Sequence, residues 1–370
     1  MSPRNCFRQA IFTRIVLSAR VAVISVAVCL SSAAAFAQEK PLTNHLLKRA
    51  EAGYLQEQLE VARAFQLGLG VDRDPAEAAR WFRRAADQGN PQAQFQLGFL
   101  YRIGSGVQQD DHEAFQWFQR AALEDYAPAQ FDLAMLLLQG WGVSRDLPQA
   151  AHWMTKAAQQ GLPQAEINLA ILYFHGYGVP VDPAEGMRRL RKAAKRHFAP
   201  AEFLLGSWYE TSPMSGTEKN PAQAAYWYRR AAQQGYAPAQ DNLGVLYDKG
   251  AGVPADNEQA RKWYRLAAEQ GDGTAAANLA HNYADPHNAK PDLASAYFWA
   301  LLALHYPPLH SPPLPASFAA NLHAGLSSEE AARIEAQAQE WVQAHPSGPD
   351  ARHDDWLTLL LTESDAAPPP

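Results

Sequence analysis

Gly104-Ser105-Gly106-Val107 is one copy of a four-residue phrase that this chain repeats. The others are Gly68-Leu69-Gly70-Val71, Gly140-Trp141-Gly142-Val143, Gly176-Tyr177-Gly178-Val179 and Gly250-Ala251-Gly252-Val253, and the first four copies fall 36 residues apart. Trp81, Trp117 and Trp153 keep step with them, Trp227, Trp263 and Trp299 follow in register, and Arg189 breaks the series. Self-similarity at roughly 20–50 residues marks a solenoid, in which each unit buries its apolar face only against its neighbours. The sequence therefore predicts an all-α fold, an α/α solenoid forming a right-handed superhelix of helical hairpins. It points to a binding surface and not to a catalytic pocket.

Working outward from Gly104, the preceding residues Ala93, Leu97 and Tyr101 form one stripe of an amphipathic helix. Gly98, beside Leu97, is matched in register by Ala134, Ala170, Gly206, Gly244 and Ala280. A small residue there lets a neighbouring helix approach closely. Gly104 suits the left-handed position that ends a helix. The second helix of the unit begins after Asp110, whose equivalents are Asp74, Asp146, Asp182, Asn220, Asp256 and Asp292. A side chain of this type accepts a bond from an unpaired N–H of the first turn. Pro75, Pro183 and Pro221 come next, where proline is tolerated. Asp74 with Glu77, and Asp110 with Glu113, fit the reciprocal capping pattern.

Seven units run over 54–306, and the fifth has 38 residues, with Thr211-Ser212-Pro213-Met214-Ser215-Gly216 in place of the Gly-x-Gly turn. Residues 38–53 form an N-terminal partial unit or cap. A proline-rich loop and a capping helix, started by Ser327-Ser328-Glu329-Glu330, span 307–344, and 345–370 reads as a disordered tail. Residues 1–37 have the pattern of a secretory signal peptide. Arg4, Arg8, Arg14 and Arg20 are basic, Val21 to Leu30 is apolar but too short to span a bilayer, and Ala35-Phe36-Ala37 offers a cleavage site. The implied location is the periplasm, with secretion to the medium as the alternative, and no direct membrane insertion after cleavage. Both cysteines, Cys6 and Cys29, lie in this segment. Removing four arginines and no acid from a chain of 32 basic and 38 acidic residues leaves a net charge of −10. Such a balance argues against nucleic acid as a partner.

Leu243-Gly244, Tyr247, Gly250-Ala251-Gly252-Val253, Asp256, Ala260, Trp263-Tyr264, Ala267-Ala268 and Gly271 together resemble the Sel-one-like repeat family, a 36-residue relative of the tetratricopeptide repeat. The resemblance covers most of the chain beyond residue 37. It implies an adaptor or scaffold with a protein or peptide partner; exported bacterial members resemble regulators of envelope signalling, exopolysaccharide assembly, motility or host contact. A secreted or surface protein binding a host molecule is the alternative, and an envelope hydrolase a further one.

Chemistry beyond binding finds little support. The Gly-x-Gly turns lack the third glycine and the Lys-Ser/Thr of phosphate loops. His281, Asp285 and His287, with His305 and His310, do not form the i, i+4 pair of a helical metal site. No Gly-x-Ser-x-Gly or Ser-x-x-Lys appears, so no catalytic residue, metal or cofactor is assigned, and the sequence assigns no oligomeric state. The Trp ladder reads as core, whereas Trp141, in a turn, is a better candidate for contact. Partner-binding candidates come from first-helix positions two before and two after the repeated leucine: Phe95, Phe99, Phe131, Met135, Ile167, Ile171 and Phe203. These point about 160° from the core stripe and are expected to line a concave groove with large apolar groups.

Overall fold

The computed structural model describes residues 43–211, 218–286, 291–307 and 312–345. The signal segment, most of the irregular turn of the fifth unit, His287, His310 and the tail beyond His345 lie outside the described residues.

Helices account for the regular structure, and no strand occurs among the described residues. They divide into two compact units that part at Lys192 and Ala193. In the first, α1 (Asn44–Glu51) precedes the hairpins α2 (Leu55–Leu67) with α3 (Pro75–Asp87), α4 (Pro91–Ile103) with α5 (Asp111–Leu123), and α6 (Ala127–Gln139) with α7 (Leu147–Gln159). Helices α8 (Pro163–His175) and α9 (Pro183–Ala194) follow, the last ending across the division. The second unit holds α10 (Ala199–Thr211) with α11 (Pro221–Gln233), α12 (Ala237–Lys249) with α13 (Asn257–Glu269), and α14 (Gly273–Ala284) with α15 (Leu293–His305). It closes with α16 (Ala316–Ala324) and α17 (Ser328–Ala344), both packed on α15. From α1 to α8 and from α10 to α15, helices consecutive in sequence pack on one another, which is the arrangement of an α/α solenoid.

Local chemistry sets the helix ends. Asp74, Asp110, Asp146, Asp182, Asn220, Asp256 and Asp292 each accept from a first-turn N–H of the second helix that follows. The reciprocal half of the predicted capping pattern is not made by the glutamates: Glu77 turns to Arg80 at 2.6 Å, and Glu113 accepts from Trp117 Nε1 at 3.2 Å. A complete capping box occurs instead at Ser327 and Glu330, before α17.

The two glycines of each turn serve different ends. The first ends a helix at positive φ, as Gly104 does at 67°. The second meets the N-terminus of the preceding second helix: a Cβ on Gly142 would stand 2.2 Å from the Asp111 carbonyl. Small residues inside first helices do admit a neighbour. A Cβ on Gly98, Gly206 or Gly244 would lie 2.5–2.8 Å from a ring atom of Phe118, Tyr228 or Tyr264. Where alanine stands instead, at Ala134 and Ala170, the in-register partners are the non-aromatic Met154 and Leu190.

Candidate partner-binding surface

First helices α2, α4, α6, α12 and α14 are covered on two sides, by the second helix of their own repeat and by the helix before it, while α8 packs on α7 and α10 on α11. This decides the fate of the predicted groove residues. Phe95 is 2 % exposed, its ring 5.6 Å from Phe118 and 5.5 Å from Tyr126. Phe99, Phe131, Met135, Ile167 and Ile171 are buried as well, none more than 8 % exposed. Phe203 is half-buried, 5.7 Å from Tyr228 and 5.4 Å from Tyr236. The expected open apolar lining is thus corrected to a packed wall. The 160° offset from the leucine stripe turns these side chains towards other helices of the stack, which a single-helix projection cannot show.

Beneath that wall runs a polar ladder that the sequence reading passed over. Gln58, Gln94, Gln130 and Gln240, all buried, recur at one position of α2, α4, α6 and α12. Each donates its Nε2 to a carbonyl in the last turn of the preceding second helix (Ala50, Ala86, Ala122 and Ala232) at 3.1–3.3 Å. Each carbonyl also accepts the backbone N–H three residues on, from Gly53, Gly89, Asp125 and Gly235, so the amide adds a second bond that ties one repeat to the helix end of the last. The Oε1 of Gln58, Gln130 and Gln240 accepts in turn from Gln88, Gln160 and Gln270 at 2.7–2.9 Å. In the second repeat the donor's place is held by Glu124, which has no N–H to give, and Gln94 Oε1 is left buried without a partner.

Glutamates replace the ladder amide in α8 and α10. Glu166 and Glu202 are 1 % and 0 % exposed. Glu166 is met by Arg189 Nη1 at 3.3 Å and paired with Lys192. Glu202 accepts from Arg230 at 2.8 Å and from Gln234 at 2.6 Å. Arg189, which breaks the tryptophan series, is thus a second cation on Glu166 beside Lys192, whereas Glu202 is served by Arg230, in register with Lys192, and its repeat keeps Trp227. Arg189 also reaches Glu185 at 2.6 Å. A hydrogen bond from Arg188, with Arg189 adding to it, holds the Glu185 carboxyl down to about 2.

Trp81, Trp117, Trp153 and Trp299 are core residues, while Trp227 and Trp263 are half-buried. Cations lie over several of their rings, Arg84 over Trp81 at 4.4 Å and Arg120 over Trp117 at 4.3 Å. Trp208 is core too, whereas Trp141 is half-buried with the Arg102 guanidinium 4.1 Å from its ring. His281 packs on Phe318 at 4.3 Å, and His305 lies against Tyr306. No cluster of three His, Cys, Asp or Glu suited to a metal occurs among the described residues. Nor is any described helix long and apolar enough to cross a membrane.

Comparison with known proteins agrees with this architecture. The family model of the Sel1 repeat matches seven times, over 58–90, 91–126, 127–162, 163–197, 199–236, 237–272 and 273–304. The crystal structure of a Sel1 repeat protein from Oxalobacter formigenes is similar, with 28 % identity and a TM-score of 0.56; the alignment covers 66 % of this chain and 96 % of that one. A protective antigen of uropathogenic Escherichia coli that displays an SLR fold aligns with 23 % identity and a TM-score of 0.49, over 88 % of this chain and 83 % of that one. No curated protein matches the chain. Sel1 repeat proteins are generally protein–protein interaction scaffolds and typically non-catalytic. With seven matched repeats spread over most of its length, this chain belongs to the Sel1 repeat family.

Proposed function

We propose that the chain is an exported scaffold of the bacterial envelope that holds a protein or peptide partner along its first helices. The observation that carries this reading is the run of seven in-register repeats of a scaffold family. The leader pattern of residues 1–37 supports export, and periplasmic residence follows from cleavage after Ala37. Phe99, Phe131, Met135 and Ile171 serve as the floor of the groove; each keeps 5–8 % of its surface open, whereas Leu97, Leu133 and Leu169 keep none.

Crosslinking of the tagged protein in intact cells, followed by mass spectrometry of each fraction, tests the proposal. One stoichiometric envelope partner supports it. Recovery from the medium without any envelope partner overturns it in favour of an external ligand. The groove is tested separately by Phe99→Leu, Phe131→Leu and Met135→Leu together, changes that keep the wall apolar while altering its shape. Capture that is unchanged by the triple variant rejects the groove.

A further inference from the structure

Helix α15 departs from the second helices before it. Phe298 stands where Arg80, Gln116, His152, Arg188, Tyr226 and Lys262 stand in earlier repeats. Leu301 stands where Arg83, Gln119, Thr155, Arg191, Arg229 and Arg265 do. Ser295 shortens a position held elsewhere by Glu77, Glu113, Gln149, Glu185, Gln223 and Gln259. The polar tips that second helices carry are thus lost together in the last of them. A helix that is apolar all round is one that is covered all round.

Helices α16 and α17 pack on α15 and supply part of that cover. Between α15 and α17 they leave a groove of about 510 Å³. Ser295 and Phe298 line it from α15, Ile334 and Trp341 from α17, and His345 just beyond the end of α17. Ile334 is 3 % exposed, while Phe298 and Trp341 are half-buried. Arg333 and Glu340, of opposite charge, line it as well, so apolar fit and not charge selects the occupant.

We infer that the chain's own residues 356–361 fill this groove and close the end of the array. The described chain stops at His345, itself part of the groove, and the sequence continues to Pro370. Pro346-Ser347-Gly348-Pro349 is a turn signal directly after α17. Residues 346–355 can span about 33 Å, against about 18 Å of α17 from Arg333 to His345, so the chain can reverse and return along the groove. Trp356-Leu357-Thr358-Leu359-Leu360-Leu361 then offers Trp356, Leu359 and Leu360 at the i, i+3, i+4 spacing of one helix face. An apolar helix face is what a groove bordered by Phe298, Ile334 and Trp341 accepts. A short tether holds the segment at an effective concentration of about millimolar, which favours it over a separate partner or a second copy.

The test places a photo-crosslinking amino acid at Leu360 of the full chain and maps the products by mass spectrometry. Products within one chain, joined to groove residues of α15 or α17, are the expected result. Phe298→Lys, which restores the residue that the preceding repeat carries at this position, should lower their yield at least about tenfold, as the loss of one buried apolar contact requires. Trp356→Ser with Leu359→Ser should do the same without touching the described helices, so a folding defect in the Phe298 variant does not decide the matter. An undiminished yield in the Trp356/Leu359 variant overturns the inference, as do products that avoid the groove or the absence of any product within the chain. Products that join two chains overturn it in favour of a second copy. A different cellular protein captured by the same crosslinker at Gln337, equally in wild type and in the Trp356/Leu359 variant, overturns it in favour of a separate partner.

Discussion

Gln130 and Glu166 occupy the same place in adjacent repeats, 36 residues apart, and are equally buried. Gln130 both donates and accepts: its Nε2 serves the Ala122 carbonyl and the Asp125 carboxylate while its Oε1 accepts from Gln160, and no cation is needed. Glu166 only accepts. It draws in Arg189 and Lys192, and Arg189 in turn displaces the tryptophan of the second helix. One altered atom of the first helix thus goes with two cations on the second. A buried ion pair contributes little net stability because both ions lose their water, yet breaking it strands a charge.

Several experiments can break or sharpen this contrast. Arg189→Ala should lower stability by about 3–5 kcal/mol, since it leaves buried Glu166 under-compensated. Gln160→Ala, which removes one neutral partner, should cost about 1 kcal/mol. Similar denaturation midpoints for the two would collapse the distinction between the rungs. The paired change Glu166→Gln with Arg189→Trp should return stability to the wild-type level or above, because it restores the neutral pattern.

A second contrast separates two glycines at positive φ. Gly142→Ala forces a Cβ to within 2.2 Å of the Asp111 carbonyl and should cost about 3 kcal/mol by thermal denaturation. Gly235, at φ +86°, has no neighbouring atom within 4 Å, so Gly235→Ala should lose only about 1 kcal/mol of backbone preference.

The third prediction concerns Asp241, which stands where Phe95, Phe131, Ile167 and Phe203 stand in earlier repeats. Burial, with Asp272 nearby, pushes its carboxyl up to about 8, against the hydrogen bond from Asn278 at 2.9 Å. An unfolded carboxyl titrates near 3.8, so between these values the folded chain holds the extra proton. Stability from this site is therefore lost as pH rises from about 4 to about 8. Asp241→Asn should flatten that decline in melting temperature. An unchanged slope would show that Asp241 does not titrate there. A comparably small effect belongs to the incomplete rung at Gln94. Glu124→Gln supplies the donor that Gln94 Oε1 lacks, and should raise stability by about 1 kcal/mol. No gain would mean that the two side chains do not meet.

Much of this molecule was legible in the chain because its signals are local. The caps Asp74 to Asp292 and the first glycine of each turn act within a few residues of themselves, so their spacing alone marked the helix ends. The ladder glutamines recur with the same regularity, but a polar residue in an amphipathic helix reads as solvent-facing until the neighbouring helix end is known. The seven first-helix residues show a different limit. Their direction on one helix was readable, while their burial depends on what stands opposite.

Repeat length, helix order and the helix-ending chemistry were determined by the sequence itself, because short-range sterics and hydrogen bonding suffice for them. Which side chains see solvent was decided only by the tertiary structure. The same holds for the joining of Glu166 to Arg189, 23 residues away, and of Arg261 to Asn282, 21 residues away. Burial and charge pairing are properties of packed neighbours, and in a solenoid every neighbour comes from another turn of the chain.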